Sequence, residues 1–234
     1  MTIAENLNRV EARISRACLH SGRDRQEITL VAVSKKHPAT DIAEALDTTN
    51  LRHFGENYVQ EYLEKREILK DRIQAKFHLI GHLQRNKVRS LLKCPPDLIH
   101  SVDSIPLVDD IERIMAELYP DKQQQILIEL RIGDEDSEKT GLDPNALDSV
   151  LQRIDQCHHI LCRGLMIIPP LGQSPEASRP YFKKVHQYFD EVNARRSSKL
   201  SILSYGMSDD FEVAVEEGAT HIRIGTAIFG ARMQ

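Results

Sequence analysis

No run of apolar residues in this sequence is long enough to span a bilayer, which excludes a membrane-crossing helix. The N-terminus lacks the basic, apolar and small-residue order of a secretory signal. The four cysteines, Cys18, Cys94, Cys157 and Cys162, lack a paired spacing. A disulfide framework is therefore excluded, and the pattern predicts a reduced, cytoplasmic protein. Excess positive charge is missing as well: 31 Lys and Arg stand against 35 Asp and Glu, for a formal net charge of -4, and the two signs are mixed throughout. That removes the electrostatic argument for nucleic acid. Tryptophan is absent, but the composition is otherwise that of a soluble globular chain, with 41% hydrophobic and 28% charged residues. A length of 234 residues suits one large α/β domain or two small ones. No linker, low-complexity segment or repeat divides the chain, so one domain over residues 1–234 is expected.

What is present is an alternation. Thr2 and Glu5 have capping-box spacing, and Ile3, Leu7, Val10, Ile14 and Cys18 recur every three or four residues until Gly22 offers a helix stop. Strand-like apolar runs then recur at 28–33, 53–57, 77–81, 98–102, 125–132, 161–168, 200–205 and 221–225. Helix starts are recognisable between them: Pro38, Ser104 with Pro106, Asp143 with Pro144, and Ser178 with Pro180. Eight strands separated by helices, with no hairpin turn between them, predict a parallel sheet, because parallel neighbours need crossovers. Eight is also the number that closes a TIM-type (β/α)8 barrel. Almost nothing follows the last strand, so the spare N-terminal helix is expected to cover it.

A barrel places its site at the C-terminal ends of its strands, often with phosphate held by the last two loops. Those ends carry the unusual residues. VAVSKKHP, residues 31–38, puts Lys35 and Lys36 where the first core strand ends. A lysine there can lose its charge through burial and attack an aldehyde to form a Schiff base; the alternative is a charged pair marking the solvent end of the strand. Neighbouring strand residues point to opposite faces, so only one of the two is expected in the barrel mouth. At the seventh and eighth ends, Gly206 with Ser208, Asp209 and Asp210, and Gly225 with Thr226, offer tight turns, a helix start and a hydroxyl: a phosphate cup, or two ordinary strand exits. Arg223 shares a strand face with His221 and Gly225 and needs an acceptor. That acceptor is a ring nitrogen or a carboxylate such as Glu56 or Glu129. Lysine for an aldehyde, a cup for phosphate and a donor for a ring nitrogen together describe pyridoxal 5'-phosphate, PLP.

Six blocks spread in order along the chain carry a resemblance: AVSK at 32–35, FGENYVQE at 54–61, FHLIGHLQRNK at 77–87, RGLM at 163–166, YGMSDD at 205–210 and RIGTAIFGAR at 223–232. They closely resemble the pyridoxal-phosphate homeostasis protein family, which is similar to the barrel domain of alanine racemase but stands alone. The resemblance implies that Lys35 holds PLP as a Schiff base and that Arg223 faces the pyridine nitrogen. It also implies that Gly225, Thr226 and Ser208, with Met207 or Ser204, hold the phosphate, and that Asn57 lies beside the ring. Three positions need comment: SKKHP replaces a common SKTxP, adding the cation Lys36; Arg131 stands where asparagine is common; Lys139 matches a family lysine.

An arginine at the ring nitrogen leaves it unprotonated and weakens carbanion stabilisation, and the second domain that supplies the racemase with its other base is not expected here. The sequence thus predicts a protein that binds PLP and buffers or delivers it, with apo-PLP enzymes as recipients, rather than a catalyst. A low-activity amino-acid racemase is the alternative. A monomer is expected, since the racemase's second domain also provides dimer contacts.

Overall fold

In the computed structural model, which describes residues 1–133, 140–170 and 174–231, eight parallel strands close a barrel in chain order. They are β1 (Thr29–Val33), β2 (His53–Glu56), β3 (Lys76–Leu79), β4 (Leu98–Val102), β5 (Gln124–Glu129), β6 (Ile160–Met166), β7 (Ile202–Ser204) and β8 (His221–Ile224). β8 pairs with β1 to complete the ring. The connections hold α2 (Ala39–Thr48), α3 (Val59–Ile68), α4 (Val88–Leu91), α5 (Ile105–Leu118), α6 (Leu147–Asp155), α7 (Arg179–Arg195) and α8 (Phe211–Glu216); α1 (Ile3–Ser21) precedes the barrel and α9 (Thr226–Phe229) comes after it. Among the described residues, no helix is long and apolar enough to cross a membrane.

Period-two alternation divides each strand between two cores. Ala32, Phe54, Phe77, Ile99, Leu165 and Ile222 face outward and are buried under the helices. Their neighbours face the barrel axis: Val31 lies level with His53 on one side and Arg223 on the other. Leu98, Leu127, Met166 and Ile202 pack as a separate apolar cluster. The inner core is thus apolar on one side, while β2, β3, β4 and β8 contribute histidines to the other.

The N-terminal helix behaves as its sequence predicts. The Glu5 amide donates to Thr2 Oγ1 at 3.2 Å, the Thr2 amide donates to Glu5 Oε2 at 2.9 Å, and Gly22 takes a left-handed φ of 68°. Its buried face packs on α2, α8 and α9, beside the junction of β8 and β1. Asn6 Nδ2 donates to the Ile228 carbonyl at 2.8 Å, and Arg13 pairs with Glu212 at 2.8 Å. The expected cover of the last strand is therefore in place.

Three local expectations are corrected, all at the mouth of the barrel. β1 stops at Val33, so neither lysine of SKKHP is a strand residue. β5 stops at Glu129: the Arg131 amide turns to the Leu142 carbonyl at 2.9 Å, leaving Arg131 beyond the strand. Residues 208–210 form a turn rather than the first turn of a helix, because α8 begins at Phe211. The physical reason is shared. One residue past each strand end the amide still reaches the next strand, as Ser34 to Gly55, Leu130 to Met166 and Tyr205 to His221 do. Beyond it the donors bond within loops, His37 to Ser34, Arg131 to Leu142 and Asp210 to Met207, and the regular element stops.

Candidate functional site

The loop leaving β1 forms the first wall of the site. The Ser34 amide still donates to Gly55 on the neighbouring strand, at 3.0 Å; His37 then donates back to the Ser34 carbonyl at 3.0 Å. This closes a four-residue turn with Lys35 and Lys36 at its centre. Lys36 has φ 61°, the left-handed value that the third residue of a type II turn requires. Lys35 is half-buried and lines a pocket, whereas Lys36 is exposed. Turn geometry, not strand alternation, separates the two lysines.

A charged cluster outside the barrel wall pins this turn. Lys65 Nζ, from α3, donates to the Ser34 carbonyl at 2.6 Å and to Glu56 Oε1 and Glu61 Oε1 at 2.7 Å each. Ser34 Oγ donates to the same Glu56 oxygen at 2.6 Å, and the Lys36 amide donates to Glu61 at 2.6 Å. Glu56 is fully buried, and burial outweighs the pull of Lys65 to hold its carboxyl above the ordinary range.

Inside the barrel, Arg223 is buried at the end of β8. Nη1 donates to Ser204 Oγ at 2.6 Å and Nη2 to the Ile167 carbonyl at 2.9 Å. Burial lowers its guanidinium to about 10, against the attraction of Glu129 and Asp210, so it remains charged at neutral pH. Neither carboxylate considered as its partner is hydrogen-bonded to it. Glu56 faces Lys65 outside the wall, and Glu129 accepts from Thr140 at 3.1 Å.

The remaining wall comes from the last two loops and from β2. The turn after β7 is tied by Asp210, whose Oδ1 accepts from the Met207 amide at 2.7 Å. Gly206 holds φ 93° there, and a Cβ would lie 2.5 Å from that of Ala214. Asn57 is set by Gly81, where a Cβ would come within 2.4 Å of the Asn57 carbonyl oxygen.

Lys35, Asn57 and Arg223 line one pocket of about 130 Å³ together with Met207, Ser208, Gly225 and Thr226. Ser204 is the sequence-predicted residue outside that lining; it lies fully buried beneath Arg223 and accepts from its guanidinium. Asn57 is shared with a wider groove that takes in Tyr58, His82 and Gln84. Arg85 and Arg89, from the same polar run, instead pair with Asp110 and Glu117 on α5. Lys139 and Arg232 lie outside the described residues.

Sequence reasoning missed Glu61 and Lys65, which sit on a helix whose buried positions include only Tyr62 and Lys65. It placed His221 on the strand face of Arg223 but missed the other three histidines inside the barrel, His53, His78 and His100. Period-two spacing with Gly55, Ile80 and Leu98 was the available signal for His53, His78 and His100.

Comparison with known proteins places this geometry. The model of the alanine racemase N-terminal domain family matches residues 5–233. The pyridoxal phosphate homeostasis protein of Aquifex aeolicus is 41% identical over 99% of this chain and 99% of its own. That of Escherichia coli K12 is 39% identical over 98% and 97%. The structure of PipY from Synechococcus elongatus PCC7942 with PLP bound superposes with a TM-score of 0.83 at 37% identity, covering 98% of this chain and all of PipY. An alanine racemase from Clostridium difficile 630 shares the fold at a TM-score of 0.70 and 16% identity, over 100% of this chain and 57% of that one. The chain belongs to the pyridoxal phosphate homeostasis protein family, whose barrel is that of the alanine racemase N-terminal domain.

Proposed function

We propose that this protein binds PLP at the barrel mouth, holds it reversibly as a Schiff base on Lys35, and buffers or delivers it to apo-PLP enzymes. The observation that carries the reading is the convergence of Lys35, Arg223 and the two small-residue loops on one pocket. The residues fit the group. Lys35 supplies an amine at the rim, and Arg223 a buried cationic donor for the ring nitrogen. Ser208, Gly225 and Thr226 supply a hydroxyl-bearing wall for phosphate, with Met207 beside them and Asn57 next to the ring; Ser204 acts through Arg223. That its relatives are pyridoxal phosphate homeostasis proteins and that PipY binds PLP support PLP as the ligand and homeostasis as the role.

Holding rather than turnover is what the electrostatics favour. When bound, PLP supplies an aldehyde for the lysine and a ring able to take up electron density. The guanidinium donates a hydrogen bond to the ring nitrogen without giving up its proton, since it stays charged at neutral pH. That leaves the ring a weak electron sink.

Titration of PLP into wild type, Lys35→Ala and Lys36→Ala, followed by visible absorbance, tests the attachment point. A band lost only in Lys35→Ala is expected; one that survives there and vanishes in Lys36→Ala overturns the assignment. Exchange of the α-hydrogen of alanine in deuterated water tests the holding role. Exchange no faster than with free PLP is expected, and Lys35-dependent exchange well above it would make the protein a catalyst.

A further inference from the structure

Behind Arg223 the barrel interior holds a continuous chain of hydrogen bonds. Ser204 Oγ, which accepts from Arg223, lies 2.9 Å from His100 Nδ1; His100 Nε2 lies 2.9 Å from His78 Nδ1; His78 Nε2 lies 2.9 Å from His53 Nδ1. Ser204, His78 and His100 are buried, while His53 is half-exposed and borders a groove at the other end of the barrel.

The direction of this chain is set by donor and acceptor accounting. A guanidinium only donates, so Ser204 Oγ receives a hydrogen from Arg223 and has one of its own to place. The other partner at that oxygen is His100 Nδ1, which must then be unprotonated. A neutral His100 carries its hydrogen on Nε2, and that hydrogen needs His78 Nδ1 as acceptor. The same step passes to His53 Nδ1 and ends with the Nε2–H of His53, the member of the chain that reaches solvent. The reverse direction would bring a second donor to Ser204 and leave the serine's own hydrogen without an acceptor, a costly outcome for a buried group. Burial lowers the pKa of all three rings, consistent with neutral imidazoles.

We propose that Ser204, His100, His78 and His53 form a one-way positioning chain, each imidazole in the Nε2–H tautomer, that anchors the inner edge of Arg223 and so presents its remaining edge to the ring nitrogen of PLP. The positioning role rests on the proposed pairing of Arg223 with that nitrogen. The tautomers do not, because they are set in the cofactor-free protein.

The test is long-range ¹H–¹⁵N correlation on the ¹⁵N-histidine-labelled, cofactor-free full chain at neutral pH, paired with PLP titration. In wild type, His53, His78 and His100 should each be neutral and protonated at Nε2. In Ser204→Ala, His100 should gain an Nδ1–H population and PLP binding should weaken roughly tenfold, the scale of one hydrogen bond to a charged group. Ser204→Thr should restore both. His78→Leu, which touches neither Arg223 nor Ser204, should weaken PLP binding about threefold. An Nδ1–H or doubly protonated His78 or His100 in wild type would overturn the direction, whatever becomes of the variants. Unchanged PLP affinity in both Ser204→Ala and His78→Leu would overturn the positioning role. Failure of wild type to bind PLP would overturn the ring-nitrogen reading and the positioning role with it, while the tautomers stand or fall on their own spectrum.

Discussion

Two buried polar networks approach the pocket from opposite sides of the same barrel wall, and they are built from different chemistry. Outside the wall, under the Lys35 turn, lies an ionic cluster in which Lys65 reaches Glu56, Glu61 and the Ser34 carbonyl. Inside, under Arg223, runs a chain of imidazoles and one hydroxyl with no carboxylate in it. The difference matches the task of each. A turn beyond the end of a ladder has lost its regular backbone partners, and charge-assisted hydrogen bonds to Ser34 and to the Lys36 amide replace them strongly. Arg223 is gripped instead by a hydroxyl and a carbonyl, neutral acceptors that hold the guanidinium without cancelling its charge.

Breaking the ionic cluster should have the largest effect. Lys65→Met leaves Glu56 buried without its cation and is expected to cost about 3–5 kcal/mol in denaturant unfolding, with the Lys35 turn loosened. His78→Leu breaks the neutral chain and strands single ring nitrogens rather than a charge. A smaller loss of about 1–3 kcal/mol is expected from the same measurement, and a loss equal to that of Lys65→Met would erase the distinction between the networks.

Acid should separate them by sign. His78 and His100, and His221 at about 3, have folded pKa values below the ordinary histidine value of 6.5. Their contribution is complete above that value and is lost as pH falls below it, because the unfolded chain then binds more protons. Glu56 and Glu129, held above 4.5 by burial, act oppositely: the stability linked to their protonated form is complete below 4.5 and is lost as pH rises through their folded pKa values. Thermal midpoints should therefore fall on acidification from pH 7 toward 5, and His78→Leu should fall less steeply than wild type. The smallest effect calibrates the others: Thr2→Ala, far from both networks, removes the helix cap at a cost of about 1 kcal/mol in the same unfolding experiment.

Most of the barrel was legible because its signals are local. Capping at Thr2, the punctuation by Pro38, Pro106, Pro144 and Pro180, and the eight apolar runs are read within a few residues of each element. Helix α3 shows what happens without such a signal. Its buried positions include a lysine, and nothing in the sequence marks it as the element that secures the Lys35 turn. Three local readings failed for a related reason: Lys35 and Arg131 suit a strand and Ser208 a helix start, but where a regular element stops or begins is set by which backbone groups find loop partners.

The order of residues along the chain was enough to specify the parallel barrel, the helix that covers its last strand, and the motif residues that come to its mouth, because periodicity, caps and strand exits act over short distances. Folding alone settled that a turn rather than strand alternation separates the two lysines, what Arg223 grips, and that His53, His78, His100 and Ser204 touch at all. Those contacts join strands far apart in sequence, and only closure of the barrel brings their inward faces within hydrogen-bonding distance.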